Sequence, residues 1–334
     1  MNKLLLILLC FPLITLAQQT YVPDDNFEQA LINLGYDNVL DDYVTTASID
    51  TVDYLDVSNQ NIFDLTGIED FTALEVLWCG LNPLTTLDVS NNTALYFLRT
   101  RYNQFTTLDV SGATSLTTLD CNDNNLTTLD VSSNILLEDL SCVSNQLTTL
   151  DVSTNTLLNV LECNLNQLTT LDVSTNTLLD VLYCGDNQLT TLDVSTNNLL
   201  EELECWSNNL TSLDIGGATS LTDLYCQSNQ LTSLDVRNGN NMNMTLFSTN
   251  NANLYCIDVD DSAWSTNNWT MQNGNIDGWS SFSANCNPST IKEHSSNNEL
   301  LKVTDLLGRE TKQTNQPLFY IYDDGTVEKR IIIE

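Results

Sequence analysis

Basic residues are almost missing from this chain. Between residues 18 and 291 only Arg99, Arg101 and Arg237 carry positive charge, against 36 Asp and Glu. A body so acidic repels phosphates and anionic lipid heads, which excludes nucleic acid and acidic membrane surfaces as partners. It attracts cations and cationic proteins, and it keeps a long repetitive chain soluble. Histidine is as scarce: His294 is the only one, and it lies near the C-terminus in a polar stretch. A Ser/His/Asp or Cys/His mechanism therefore has no base in the body of the chain. The motifs H-E-x-x-H and C-x-x-C and a phosphate-cradling glycine loop are absent as well. Carboxylates of the kind a glycosidase uses abound, yet no segment stands apart from the others as a catalytic pair would require. These absences predict a protein that is not an enzyme and requires no cofactor.

Long apolar runs are missing too, except at the start. "MNKLLLILLCFPLITLAQ" places Lys3 ahead of apolar residues from Leu4 to Leu16, then Ala17 with Thr15 two positions before it. That is the layout of a cleavable signal peptide, residues 1–17, with the mature protein beginning near Gln18. The run falls short of the ~20 residues a spanning helix needs, so no transmembrane segment is expected. Leu9, ahead of Cys10, is not the small residue that a lipoprotein cleavage site wants. The expected location is secreted, extracellular or on the outer cell surface.

What the chain has in abundance is repetition. Asp88, Asp109, Asp130, Asp151, Asp172, Asp193, Asp214 and Asp235 each follow a Leu in L-D-[VI], at steps of 21 residues. The unit reads L-x-x-L-x-C-x-x-N-x-L-T-T-L-D-V-S-x-N-x-x, as in "LTTLDVSTNTLLDVLYCGDNQ" at 168–188. Each half has two Leu three apart and a Val or Cys two further on, an extended pattern with its apolar side chains facing inward. One such coil cannot bury its apolar side alone, whereas stacked coils share a continuous core. At the ~4.8 Å spacing of paired strands, eight or nine coils make a rod of ~40 Å.

At these residues the chain resembles the leucine-rich repeat family, in the class of 21-residue coils with an L-x-x-L-x-apolar strand in both halves. The resemblance covers roughly residues 51–256. It implies a β-rich solenoid with short parallel strands on two faces of each coil. Before it, residues 18–50 form an N-terminal cap in which Pro23, Asp24, Asp25 and Asn26 precede Phe27, Leu31, Ile32 and Leu34, a short capped helix. After it, Cys256 and Cys286 bracket a C-terminal cap, residues 257–287. In an oxidising compartment they form a disulfide worth ~3 kcal/mol.

Two columns follow from the repeat. Asn82, Asn103, Asn124, Asn145, Asn166, Asn187, Asn208, Asn229 and Asn250 should lie buried in the turns, their amides satisfied by turn backbone and by the next Asn. Cys79, Cys121, Cys142, Cys163, Cys184, Cys205 and Cys226 share another register, with Thr100 in the missing slot. Parallel in-register Cβ atoms stay near ~4.8 Å, longer than the ~3.8 Å a disulfide prefers, so the column is one of buried free thiols.

Residues 288–334 turn basic and alternate apolar with polar around Asp323, Asp324 and Gly325, which predicts a small β tail. At "KVTDLLGRE" and "FYIYDDGTVEKRIII" this stretch is similar to the C-terminal sorting domain of type IX secretion. The resemblance implies an address read by the secretion machinery.

Function is sought where the repeat varies. The T-T-L-D-V-S half is nearly constant. By contrast the residue before the Cys column runs Trp78, Arg99, Asp120, Ser141, Glu162, Tyr183, Glu204, Tyr225. The residue after it runs Gly80, Arg101, Asn122, Val143, Asn164, Gly185, Trp206, Gln227. Alternation with buried positions points these outward on one sheet. Trp78, Tyr96, Arg99, Arg101, Tyr183, Glu204, Trp206 and Tyr225 are the candidate ligand contacts, being of types that anchor interfaces or stack on sugars. The expected function is binding or adhesion to an extracellular protein or glycan. The alternative uses the regular Thr/Asp face to hold ice, a crystalline polysaccharide or Ca²⁺, with each Asp otherwise capping its own turn. Asp258, Asp260 and Asp261 offer a further cation site on spacing alone.

Overall fold

The computed structural model describes residues 18–286 and three tail strands within 300–331. The chain divides into two compact units after Cys286. The expected signal peptide with Cys10, the linker with His294 and the turn at Asp323, Asp324 and Gly325 lie outside the described residues.

The N-terminal cap pairs β1 (Gln19–Tyr21) antiparallel with β2 (Tyr43–Thr45), with α1 (Asp25–Leu34) between them. Asp24 starts the helix by accepting from Asn26 and Phe27 N–H groups, and Gly35, at φ 85°, ends it. Phe27, Ala30 and Leu31 are its buried apolar face, whereas Leu34, expected inside, is exposed. Position 34 shares the face of Phe27 and Leu31, so its exposure comes from its place as the last helical residue, next to Gly35.

The body stacks β3 (Tyr54–Asp56), β4 (Val76–Trp78), β5 (Phe97–Arg99), β6 (Thr118–Asp120), β7 (Asp139–Ser141), β8 (Val160–Glu162), β9 (Val181–Tyr183) and β10 (Glu202–Glu204). With β12 (Asp223–Tyr225) and β14 (Thr245–Phe247) they form one ten-stranded parallel sheet. Each strand is three residues because only the central Leu points inward. Leu55, Leu77, Leu98, Leu119, Leu140, Leu161, Leu182, Leu203, Leu224 and Leu246 pair in register and are fully buried. The opposite half-coil is strand-paired only late, as β11 (Ser212–Asp214), β13 (Ser233–Asp235), β15 (Cys256–Asp258) and β16 (Ser281–Ser283). Earlier coils have single bridges there, Asp88 to Asp109 and Asp109 to Asp130. An open cleft in that region is lined by Thr128, Asp130, Thr149 and Asp151.

At every corner leaving the ten-stranded sheet one residue is left-handed: Asn59, Leu81, Tyr102, Asp123, Ser144, Leu165, Asp186, Ser207, Ser228 and Asn250, all with φ from 50 to 61°. Such a residue costs on the order of 1 kcal/mol. From the second corner on, the Asn that follows offsets it. Asn145 Nδ2 donates to Cys142 O in its own coil and Cys121 O in the coil before, both at 3.1 Å, while its Oδ1 accepts from Leu126 N at 3.0 Å. The amides are thus satisfied by main chain of two coils and not by neighbouring Asn side chains, because each amide is already saturated by backbone. The last member is Asn251 instead of Asn250. The step from Leu224 to Leu246 is 22 residues, which moves Asn250 to the left-handed position and Asn251 into the column.

A second Asn column, at Asn92, Asn134, Asn155, Asn176 and Asn197, has no exposure. Asn155 Nδ2 donates to Val131 O at 3.0 Å and Asn134 O at 2.8 Å, again tying one coil to the one behind. The seven column thiols are free and buried, and Thr100 and Ser248 extend their row. The two ends are closed differently. At the far end the Cys256–Cys286 disulfide forms, with Cα atoms 5.8 Å apart. There α2 (Ser262–Asn268) leads into the buried Trp269, and Asn275 caps the outer strand by donating to Leu246 O at 2.7 Å. The second unit is a three-stranded antiparallel sheet of β17 (Leu300–Thr304), β18 (Pro317–Tyr322) and β19 (Val327–Ile331).

These columns make three predictions. Asn145→Ala orphans Leu126 N–H and leaves Cys121 O and Cys142 O with one amide donor each, from Asn124 and Asn166, and should lower stability by about 1–3 kcal/mol in denaturant unfolding, with no change in far-ultraviolet dichroism before the transition. The second concerns pH. Burial pushes the Cys79, Cys142, Cys184 and Cys226 thiols up to about 12. In the unfolded chain a thiol ionises near ~8.5, so the stability held below that pH drains away as pH climbs toward the folded value. The denaturation midpoint should fall steeply above pH ~9, and Cys142→Ala/Cys184→Ala should flatten that slope. Iodoacetamide should label none of the seven column thiols before unfolding.

Candidate binding face

The candidate residues fall on the ten-stranded sheet, where flanking positions of each triplet face outward. At its first strands Tyr54, Trp78 and Phe97 form a chain of rings with centroids 5.7 and 6.3 Å apart. The Arg99 guanidinium lies 4.9 Å from the Trp78 ring and 5.5 Å from Phe97, and its Nε meets Asp120 Oδ2 at 3.0 Å. Arg99 is therefore held by both an ion pair and a cation–π contact. Arg101 is exposed, its backbone passing over Gly80, and Tyr96 is exposed one column away.

Four strands further on, ~19 Å at the usual spacing, a second cluster forms. Tyr183 OH donates to Glu202 Oε2, and Trp206 Nε1 donates to Glu204 Oε2 at 2.9 Å. Burial, the Glu202 bond and the charges of Glu204 and Glu162 push the Tyr183 phenol well above its usual range. The Trp206 indole lies over Gly185, where a Cβ would come within 2.4 Å of Cε2. Gly185 N–H donates to Asn164 Oδ1 at 2.7 Å, which fixes the notch. Tyr225 stacks on Phe247 at 5.2 Å and 8°. The structure thus joins Trp78 with Arg99 and joins Tyr183, Glu204 and Trp206, while keeping the two groups apart. Sequence reasoning missed Tyr54 and Phe247, which belong to the irregular first and last coils, with their 22-residue steps to the neighbouring repeats.

On the opposite side the Asp column makes turns. Asp88, Asp109, Asp130, Asp151, Asp172 and Asp193 each accept the N–H of the Ser two residues on at 2.9 Å. The same Ser hydroxyl and amide hold these carboxyls below their usual range. Asp258, Asp260 and Asp261 part company: Asp258 accepts from Cys286 N, Asp260 from Gly239 N, and Asp261 caps α2. Among the described residues no three acidic, Cys or His side chains converge as a metal site, and no helix is long and apolar enough to cross a membrane.

No family model matches the chain. Internalin J of Listeria monocytogenes serotype 4b (strain F2365) is 45% identical over 73 residues, which is 22% of this chain and 8% of that protein. The solved functional domain of internalin J from Listeria monocytogenes, described as including a cysteine ladder, is 31% identical. It has a TM-score of 0.48 over 73% of this chain and 68% of that one. The leucine-rich repeat ectodomain of the plant membrane receptor kinase GASSHO1/SCHENGEN3 from Arabidopsis thaliana was solved in complex with CASPARIAN STRIP INTEGRITY FACTOR 2. It reaches a TM-score of 0.58 at 20% identity, covering 71% of this chain and 31% of that one. The chain is a leucine-rich repeat solenoid.

Within the solenoid the notch at Gly185 makes a direct prediction. Gly185→Ala should lift the indole and break its bond to Glu204. In a ¹⁵N spectrum the Trp206 indole cross-peak should move by more than that of any other tryptophan, with the fold retained.

Proposed function

We propose that this solenoid is a non-enzymatic extracellular binding protein that recognises a protein partner through its ten-stranded face. The observation that carries this reading is the contrast between the two sides. One repeats Thr, Asp and Ser turn chemistry almost without change, while the other holds two ring clusters fixed by hydrogen bonds, stacking and a glycine notch. Rings held in place before contact lose little entropy on binding, which is how aromatic anchors contribute most to an interface. The likeness to internalin J and the complex of the plant ectodomain with CASPARIAN STRIP INTEGRITY FACTOR 2 support a protein over a glycan as the partner. The apolar leader and the basic tail support export to the cell surface, with residues 288–334 read by the secretion machinery.

The test passes the secreted protein over arrays of cell-surface proteins and polysaccharides, beside a variant with Trp78, Tyr183, Trp206 and Tyr225 changed to Ser. Saturable binding to a protein, lost by about 100-fold or more in the variant, is the expected result. Unchanged binding in the variant would move the site off this face.

A further inference from the structure

Four leucines stand outside the core in register. Leu136, Leu157, Leu178 and Leu199 are 43, 38, 40 and 47% exposed, while the Leu after each of them is fully buried. The core therefore uses only the second member of each Leu-Leu pair. The same position is Ala94 and Ser115 in earlier coils and Ser220 in the next, so the stripe is confined to four consecutive coils. At the coil spacing it is a ribbon ~15 Å long, extended by the exposed Ile135.

Acidic rows border this ribbon. Two residues beyond the leucines come Glu138, Asn159, Asp180 and Glu201, and on the adjoining strands Asp139, Glu162, Glu202 and Glu204. No Lys or Arg occurs between Arg101 and Arg237, so these coils hold no cation of their own. The crowding is felt: burial first, then the charges of Glu162 and Asp120, raise the Asp139 carboxyl. An arriving positive charge relieves that repulsion.

We infer that the Leu136–Leu199 ribbon and its acidic border dock a cationic amphipathic segment of a partner protein, apolar side on the leucines and Lys or Arg on the carboxylates. This rests on the protein-binding reading of the adjoining sheet and names the chemistry of the partner. Charge complementarity selects the occupant. A neutral glycan leaves the carboxylates uncompensated, an anionic surface is repelled, and a second copy of this chain, of net charge −34, adds to the repulsion.

The experiment uses the full chain and an 18-residue helical peptide of Leu and Lys with one apolar side, against the same peptide with Glu for Lys and against a scrambled Leu/Lys order. The Leu/Lys helix should bind saturably, and more weakly as salt rises, while the other two bind at least tenfold less well. Leu157→Ser/Leu178→Ser and Glu138→Gln/Glu201→Gln, all at exposed positions, should each weaken it about tenfold with unchanged melting. Asp151→Asn/Asp172→Asn removes the same charge from the opposite side and should have no effect. Absence of binding at low salt overturns the inference, as does wild-type binding by the Leu variant, or equal loss in the Asp151 variant. The Trp78/Tyr183/Trp206/Tyr225 variant separates the two ideas. If it loses a native partner that the Leu and Glu variants still hold, the sheet face stands and the docking ribbon falls.

Discussion

At each corner that leaves the ten-stranded sheet after its first strand, a residue in the left-handed region is followed by an asparagine whose amide grips two coils at once. Asn145 holds carbonyls at Cys121 and Cys142 and the amide of Leu126 within 3.1 Å. The turn could not be this tight without the left-handed residue, and the left-handed residue would not persist without a partner for the backbone groups it exposes. The spacing of coils, the register of the leucine row and the direction of every outward side chain all follow from that repeated grip.

Because the grip is local, most of it could be read in one dimension. The 21-residue step, the inward Leu and Cys positions, the first Asn column and the capping disulfide all depend on residue types at fixed offsets, and the chain repeats them often enough to expose the rule. What escaped reading depended on irregularity or on three dimensions. Asn250 and Asn251 exchange roles because one coil is a residue longer. The second Asn column was visible as letters, yet its partners are carbonyls 24 and 21 residues back, which sequence does not pair. The contacts among Trp78, Phe97 and Arg99, and the seat of Trp206, belong to side chains of different coils and required the stacked backbone.

The solenoid also separates its sulfur chemistry by geometry. Seven thiols aligned in parallel register stay single and buried, and the pair that bonds, Cys256 with Cys286, is out of register, Cys256 lying opposite Ser281 in the paired strands and Cys286 following just past β16 at the open end. Burial protects the column without any redox partner, and the cap supplies covalent closure where the repeat can no longer offer a neighbour.

The notch at Gly185 changes how the variable side should be understood. Trp206 fits because the coil behind it has no side chain at that point, and the backbone of Arg101 passes close over Gly80. At these two places adjacent positions are therefore spelled in pairs, a large residue with an absent one. A repeat cut out and inserted elsewhere in the stack would carry half a pair, so new specificities in such an array have to be exchanged two coils at a time.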